Sequence, residues 1–195
     1  MMPEFAKWPS IQRLSSEICT ITEKIDGTNG VIYVFDDGLV LAGSRERWLS
    51  KEDGSACDKV ADNFGFSRWV YDRREALKRL GPGYHYGEFH GAGIQRGYGL
   101  KNKRWLSFAH WRTDGHDIGI HEDAGCVPIL YKGEPTVAII DETVARLKLS
   151  GSIAYPGFMK PEGVVITFKE MRTCKFKRLC ENDKIHKRQQ ALGQG

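Results

Sequence analysis

The stretch Glu23-Lys24-Ile25-Asp26-Gly27-Thr28-Asn29-Gly30 joins two segments that are rich in β-prone residues. It places a lysine at the end of one predicted strand, followed by a carboxylate, two glycines and an asparagine. Glycine permits tight turns and lets a ligand approach the backbone closely. The pattern therefore predicts an amine on a loop between strands, a position typical of a nucleophile.

Predicted strands and helices continue outward from this loop. A β-hairpin is predicted in the first third, from strands at 17–22, 30–36 and 39–43 with a turn at 36–38. Further strands are predicted at 84–89, 105–111, 127–131, 163–168 and 172–178. Helices are predicted at 55–80, capped by Ser55 and broken inside at Gly65, and at 141–149 and 181–192. Mostly antiparallel strands with inserted helices indicate an α+β domain rather than a doubly wound one.

Composition places the chain among globular proteins. Its 195 residues are 41% hydrophobic and 28% charged, which fits a single domain spanning 1–195. The longest apolar runs, 31–35 and 137–140, are far shorter than the roughly 20 residues that cross a bilayer, and the start lacks a signal-peptide pattern. We expect a cytoplasmic protein without a membrane partner. Five cysteines without a C-x-x-C pair indicate reduced thiols.

Positive charge is concentrated at the C-terminal end. The segment 169–195 has eight basic residues against three acidic ones, an excess larger than the net charge of +4 of the whole chain. This basic C-terminal segment predicts contact with an anionic partner such as nucleic acid, although a solvated basic tail would have the same composition.

Two common nucleotide-binding patterns are missing from the sequence. There is no G-x-x-x-x-G-K-[ST], and the glycines of 91–97 miss the G-x-G-x-x-G spacing by one residue. Neither a P-loop ATPase nor a dinucleotide-binding domain is supported.

The lysine loop, K-x-D-G-x-N, resembles the adenylation motif of the covalent nucleotidyltransferases, the superfamily of ATP-dependent RNA ligases, DNA ligases and messenger-RNA capping enzymes. Five other segments resemble the remaining motifs in the same order. They are Ser44-Arg45-Glu46-Arg47, Tyr86-Gly87-Glu88-Phe89, Leu106-Ser107-Phe108, Pro161-Glu162-Gly163-Val164-Val165-Ile166 and Cys174-Lys175-Phe176-Lys177-Arg178. The chain is thus identified as similar to ATP-dependent RNA ligases, and its motif wording is nearest to the branch that seals nicks in duplex RNA.

This resemblance implies a nucleotidyltransferase domain with mostly antiparallel sheets around a central ATP cleft. DNA ligases and capping enzymes carry an OB-fold after the last motif, and the residues from Arg178 onward are too few for one. We therefore expect no OB-fold, and a monomer that uses ATP with Mg²⁺ or Mn²⁺.

The resemblance also assigns roles to individual residues. Lys24 would be the nucleophile that forms lysyl-AMP, and Lys175 and Lys177 would act on the α-phosphate as catalytic cations. The remaining assignments are Glu23, Ile25 and Asn29 to nucleotide positioning, Arg45 to the ribose or an end phosphate, Glu88 to the ribose, Phe108 to the purine and Glu162 to the metal.

Physical chemistry gives several of these roles independent support. Neutralising a free lysine amine at pH 7 costs roughly 4 kcal/mol, and nearby cations reduce that cost. Lys175 and Lys177 are two apart on a predicted strand, so they should face one side while Phe176 faces the core. Glu162 precedes an apolar strand, which suits a rigidly held ligand for a hard cation. For Phe108, a purely structural place in the core is equally compatible with the sequence.

We therefore expect an ATP-dependent RNA ligase that joins a 3′-hydroxyl to a 5′-phosphate through lysyl-AMP and an adenylylated RNA end. The basic C-terminal segment would hold the RNA backbone. Alternatives are a minimal ATP-dependent DNA ligase, a capping-type guanylyltransferase, or an RNA-binding module with a vestigial nucleotide site that does not seal.

Overall fold

The computed structural model of the chain describes residues 18–109, 119–168 and 175–181, and of Lys175 the backbone alone. These residues form nine strands and two α-helices. The strands are β1 (Cys19–Lys24), β2 (Thr28–Val34), β3 (Val40–Gly43), β4 (Gly83–Gly91), β5 (Lys103–Ser107), β6 (Ala124–Cys126), β7 (Ile129–Gly133), β8 (Gly163–Phe168) and β9 (Lys175–Leu179). The helices are α1 (Phe66–Leu77), followed by a 3₁₀ turn at Lys78–Leu80, and α2 (Val137–Ser150).

The strands form two sheets, and the predicted α+β class is confirmed. One sheet has four strands in the order β7-β1-β8-β9, and the other has five in the order β3-β2-β4-β5-β6. All neighbours are antiparallel except β5 and β6, which are parallel. The lysine loop crosses from β1 in the first sheet to β2 in the second.

This crossing corrects the predicted hairpin. The turn at 36–38 does join β2 to β3 as an antiparallel pair. However, β1 does not pair with β2; it lies between β7 and β8, with Lys24 opposite Gly163. Ile25 is buried in a cluster between the sheets with Tyr98 and Tyr155, so the chain turns inward there and leaves the first sheet.

The five-stranded sheet packs its inner face against α1. Ile32 and Val34 point into this core, where they meet Phe66 and Trp69. Gly30 belongs to the same face, and a Cβ there would lie 2.7 Å from the Phe66 ring, so the ring occupies the space that a side chain would need. Glycine at this position lets the helix approach the strand closely.

Helix α1 is shorter than the predicted 55–80. Gly65, with φ of +70°, precedes it, and the buried Asp62 carboxylate accepts hydrogen bonds from the backbone and hydroxyl of Ser67. Ser55 does not cap the helix; its hydroxyl donates to Asp53 instead. The Ser55 hydroxyl thus forms a local side-chain hydrogen bond instead of the predicted helix cap.

Helix α2 covers the outer face of the four-stranded sheet through Val144 and Leu147. It begins four residues earlier than predicted because Thr136 caps it, accepting a hydrogen bond from the Ile139 N–H. Gly151, with φ of +81°, ends it.

The remaining differences are local. The predicted strand at 127–131 matches only β7, which begins at Ile129 because Pro128 has no N–H for a ladder, and β6 ends before it at Cys126. Strand β5 ends at Ser107, and residues 110 and 111 of the predicted strand lie outside the described residues. The predicted helix at 181–192 lies outside the described residues except for Glu181, and so do residues 172–174 of the last predicted strand.

Among the described residues, Cys19, Cys57, Cys126 and Cys180 form no disulfide, and their reduced state stays a prediction. Within the described ranges, no helix has the length and apolar character that a membrane crossing requires.

Candidate functional site

A cleft of about 840 Å³ lies between the two sheets. Its walls include residues from the lysine loop, from both sheets and from the loop after β3. Most of the predicted site residues line it: Glu23, Lys24, Ile25, Asn29, Arg45, Glu88, Phe108 and Lys177. A cavity of this size is typical of sites for nucleotide-sized ligands.

Lys24 is the last residue of β1, and its amine enters the cleft. Its Nζ donates a hydrogen bond to Oε2 of Glu162 at 2.7 Å, as an ion pair that is mostly shielded from solvent. Glu162 immediately precedes β8, and the pairing of β1 with β8 places Gly163 opposite Lys24. Burial raises the pKa of the Glu162 carboxyl, and the contact with the amine opposes that shift. The predicted nucleophile and the predicted metal ligand therefore contact each other directly.

The turn after Lys24 is held by a second ion pair. The Asp26 carboxylate accepts from Nε of Arg96 at 2.9 Å, and the Asp26 N–H donates to the Tyr98 hydroxyl at 2.7 Å. Arg96 also donates to the Lys160 carbonyl at 3.2 Å. Since Lys160 lies two residues before Glu162, Arg96 links the turn after the nucleophile to the segment that carries its partner.

Glu23 is almost completely buried, and its carboxylate has a structural set of contacts. It accepts from the Ser152 hydroxyl at 2.6 Å and from the N–H groups of Ile153 and Ala154 at 2.8 and 2.9 Å. Burial raises its pKa and these three hydrogen bonds oppose the shift. A role for Glu23 in positioning the nucleotide stays a prediction, and these contacts would make it act through Lys24, its neighbour.

The five-stranded wall contributes Glu88 and Asn29, which face each other across β4 and β2. Glu88 accepts from the Gly27 N–H at 3.0 Å, and burial raises the pKa of its carboxyl to about 7. A side chain at Gly27 would collide with the Phe89 carbonyl, so this close approach of the loop to β4 requires glycine. Asn29 accepts from Nε of Arg45 at 3.0 Å, which turns the guanidinium toward the cleft mouth.

Ile25 and Phe108 belong to the small core between the sheets. Ile25 is buried there, and Phe108 packs partly against the same cluster while lining the cleft. Phe108 thus contacts the core and the cleft at the same time. Its stacking on a purine stays a prediction. For Ile25, only a role of its backbone in the cleft is consistent with this burial.

The last motif lies on β9. Lys177 pairs with Val165 and lines the cleft, and the backbone of Lys175 pairs with Thr167 two positions along. Lys177 therefore lies on the cleft side of the ladder, and the action of both lysines on the α-phosphate stays a prediction. Phe176 is on the opposite side, with its ring 6.0 Å from Phe168, but it is more than half exposed because β9 is an edge strand.

Sequence reasoning missed several residues that shape the site. Asp26 belongs to the lysine loop, so its position two residues after Lys24 could have identified it as a site residue. The buried His90, by contrast, donates from Nδ1 to the Glu88 carbonyl at 3.1 Å and accepts at Nε2 from the Tyr155 hydroxyl, and no sequence pattern indicates these contacts. Burial lowers the pKa of His90 to about 4, so the ring is neutral near pH 7.

Comparisons with known proteins identify the family and similar folds. Residues 17–187 match the family model described as RNA ligase. No curated protein matches the chain at the level of sequence. Among solved structures, the chain resembles a lysine-to-alanine variant of Naegleria gruberi RNA ligase with ATP and Mn, with a TM-score of 0.60 and 18% identity, over 95% of this chain and 59% of that one.

Two further structures of the same Naegleria gruberi enzyme are similar. A lysine-to-methionine variant with AMP and Mn gives a TM-score of 0.59 at 19% identity, covering 95% of this chain and 59% of that one. An aspartate-to-alanine variant without ligand gives 0.60 at 19% identity, covering 97% and 59%. The chain thus spans about 59% of the length of these relatives. Because the family model matches most of the chain, the protein belongs to the RNA ligase family.

Proposed function

We propose that this protein is an ATP-dependent RNA ligase that accepts AMP on Lys24 and then joins a 3′-hydroxyl to a 5′-phosphate. The observation that carries the proposal is the position of the Lys24 amine, at the end of β1 in a cleft lined by Glu88, Asn29 and Lys177. The family match supports RNA as the substrate. ATP is supported by the Naegleria enzyme, which was solved with ATP and Mn.

In the first step, Nζ of Lys24 attacks the α-phosphorus of ATP. The N–P bond forms as the bond from that phosphorus to the bridging oxygen breaks, and pyrophosphate leaves with the electron pair. Two protons must leave the ammonium nitrogen, one before the attack and one as the phosphoramidate N–H forms, and the second is released to solvent. Glu162 already accepts a hydrogen bond from this amine at 2.7 Å and is in position for the first proton. Because burial raises the pKa of Glu162, its carboxylate is suited to take that proton.

Charge on the triphosphate would be met by the cations of the cleft. Lys177 and Arg45 both line it, from opposite walls, and positive groups fixed near developing negative charge stabilise a transition state. Lys175 would add a third cation from the same ladder as Lys177.

The Glu162 carboxylate fits a role as ligand of a hard divalent cation. It lies beside the Lys24 amine, and carboxylate oxygens are ligands that Mg²⁺ and Mn²⁺ prefer. When bound there, the cation would offset negative charge on the triphosphate and on the leaving pyrophosphate. Glu162 would be the principal ligand, so the same carboxylate that pairs with Lys24 would be shared with the cation.

The two later steps use the same phosphorus chemistry. An oxygen of the RNA 5′-phosphate attacks the AMP phosphorus, and the N–P bond breaks, which returns the amine to Lys24. The 3′-hydroxyl then attacks the 5′-phosphorus, loses its proton and displaces AMP. The basic C-terminal segment would contribute affinity for the RNA backbone that weakens as salt increases.

The mass of the purified protein after incubation with ATP and Mg²⁺ tests the first step. We expect an added mass of one AMP that pyrophosphate removes, and no adduct in Lys24→Ala. Lys78→Ala is the matched control, because Lys78 lies after α1 and pairs with the exposed Glu75, so it should label normally.

The alternatives predict other results. Labelling with GTP but not ATP would indicate a capping-type enzyme, and sealing of nicked DNA in preference to nicked RNA would indicate a DNA ligase. RNA binding without any adduct, unaffected by Lys24→Ala, would indicate a module that does not seal.

A further inference from the structure

Five aromatic side chains form a strip on the outer face of the five-stranded sheet, which we call the aromatic strip: Tyr33, Phe35, Trp48, Tyr84 and Tyr86. The exposed fractions of Phe35, Trp48, Tyr84 and Tyr86 are 37%, 46%, 52% and 55%. The rings of Tyr84 and Tyr86 are 5.9 Å apart and parallel within 9°. Trp48 stacks against Tyr84 at 6.3 Å with an angle of 22°. The rings thus support one another side by side while keeping much of their surface open.

The strip continues the wall of the cleft. The pairing of β2 with β4 places Asn29 opposite Glu88, Val31 opposite Tyr86 and Tyr33 opposite Tyr84. Residues two apart on a strand, and residues directly paired across strands, share one face. The pair Asn29 and Glu88, which lines the cleft, is therefore the first rung of a ladder on this face. Tyr86 belongs to the second rung, and Tyr33 and Tyr84 form the third. Each rung is displaced by about 6.8 Å along the strands.

The fold does not need these rings in its core. The core of this sheet lies on the other face, where Ile32 and Val34 meet α1. Trp48 reaches the outer face because Gly43 has no side chain; a Cβ there would lie 3.1 Å from the indole. In the described part of the chain, the aromatic strip is exposed to solvent. Contiguous exposed aromatic surface is unusual in a globular protein and indicates a binding site.

We propose that the aromatic strip binds unpaired nucleotides of the RNA substrate by stacking, next to the end that reacts in the cleft. This inference rests on the proposed ligase function, because it takes the RNA end to be at Lys24. Exposed aromatic rings on a sheet stack on bases without regard to their identity. Bases inside a duplex are already stacked on one another, so the strip favours RNA that is unpaired beside the junction.

Charge at the junction of strip and cleft agrees with a nucleic acid occupant. Arg45 and Arg47 are exposed in the loop that leads to Trp48 and line the cleft, as does Glu46 between them, so the loop keeps an excess of positive charge. Arg45 is oriented by Asn29, on the first rung of the ladder. A strand that crosses from the strip into the cleft would carry its phosphates past these guanidinium groups, and they bind phosphate well.

The test compares binding of two fluorescent RNAs by anisotropy: a single strand of oligouridylate, about ten nucleotides long, and a blunt duplex. The variants are the double change Tyr84→Ala with Tyr86→Ala and the conservative pair Tyr84→Phe with Tyr86→Phe. Tyr71→Ala is the matched control, since Tyr71 lies on α1, against Arg74, on the opposite side of the sheet. We expect the alanine pair to weaken single-strand binding about 5- to 100-fold, and the phenylalanine pair and Tyr71→Ala to retain it.

Each outcome decides the proposal. Equal weakening for single strand and duplex, or no weakening, would overturn it. It is also overturned if the unmodified protein is a dimer that the alanine pair converts to monomers with RNA binding intact, because the strip would then be a contact between copies. The AMP adduct is measured on the same samples. The alanine pair could lose single-strand binding while neither the unmodified protein nor any variant forms the AMP adduct. That result would support RNA binding by the aromatic strip and contradict the ligase proposal.

Discussion

The two walls of the cleft differ in what they offer a substrate. The four-stranded sheet carries Lys24, Glu162 just before β8, and Lys177, groups that gain, lose or neutralise charge. The five-stranded sheet carries Asn29 and Glu88 and then the aromatic strip, groups that can form hydrogen bonds or stack on rings. The comparison suggests that one wall performs phosphorus chemistry while the other recognises nucleosides. Changes in the first should reduce the rate constant, and changes in the second should reduce affinity.

Glu162→Gln tests the chemical wall and has the largest expected effect. Glutamine can still accept a hydrogen bond from Lys24, but it cannot take the proton or neutralise a divalent cation. We expect the rate of AMP transfer to Lys24 at saturating ATP to fall about 10²- to 10⁴-fold, the usual size of a general base contribution. Single-turnover labelling with radioactive ATP measures it.

Glu75→Gln is the control for this change, since Glu75 is exposed on α1 and pairs at the surface with Lys78 and Arg74. It should label like the unmodified protein. If Glu162→Gln instead raised KM for ATP and left the rate constant unchanged, the division between the walls would be wrong.

Glu23→Ala tests whether the chemical wall depends on a buried anchor. The change leaves the Ser152 hydroxyl and the N–H groups of Ile153 and Ala154 without their acceptor. Leaving buried donors unsatisfied costs about 1 to 3 kcal/mol each, so unfolding in urea should show a loss of about 3 kcal/mol or more. Glu23→Gln keeps an acceptor oxygen and should lose much less. Equal losses in the two variants would mean that the hydrogen bonds contribute little.

The sequence predicted best where the determinants were local. The turn at 36–38 and the strand Gly163–Phe168 have the predicted positions because turn residues and apolar runs specify them directly. The separation of β1 from β2 could not be predicted in this way. It depends on Ile25 entering a core with Tyr98 and Tyr155, and on β1 pairing with β8, which lies about 140 residues later.

The same contrast between local and long-range determinants holds for the site. Lys24, Glu88 and Lys177 were predicted because each belongs to a motif, and the two sheets bring these motifs to one cleft. The supports of the motifs were not predictable. Arg96 reaches Asp26 from a glycine-rich segment without periodicity, and Ser152 reaches Glu23 across 129 positions of sequence. Such contacts follow from the tertiary fold and have no local pattern.

Glu88→Gln tests the recognition wall and has the smallest expected effect of the three changes. Burial raises the pKa of Glu88 to about 7 in the folded protein, whereas in an unfolded chain it is near 4.3. Between these values the unfolded chain releases the proton first, so the folded state of the unmodified protein loses stability as the pH rises through this window. Glutamine does not titrate and can still accept from the Gly27 N–H.

We therefore expect Glu88→Gln to match the unmodified protein in thermal unfolding near pH 4.5 and to exceed it by about 1 to 3 kcal/mol above pH 7. Its KM for ATP should rise while the rate constant of AMP transfer changes less than in Glu162→Gln. A constant stability difference between pH 4.5 and 8 would contradict a raised pKa at Glu88. A rate constant that fell as far as in Glu162→Gln, with KM unchanged, would show that the two carboxylates act as one unit and that chemistry and recognition are not divided between the sheets.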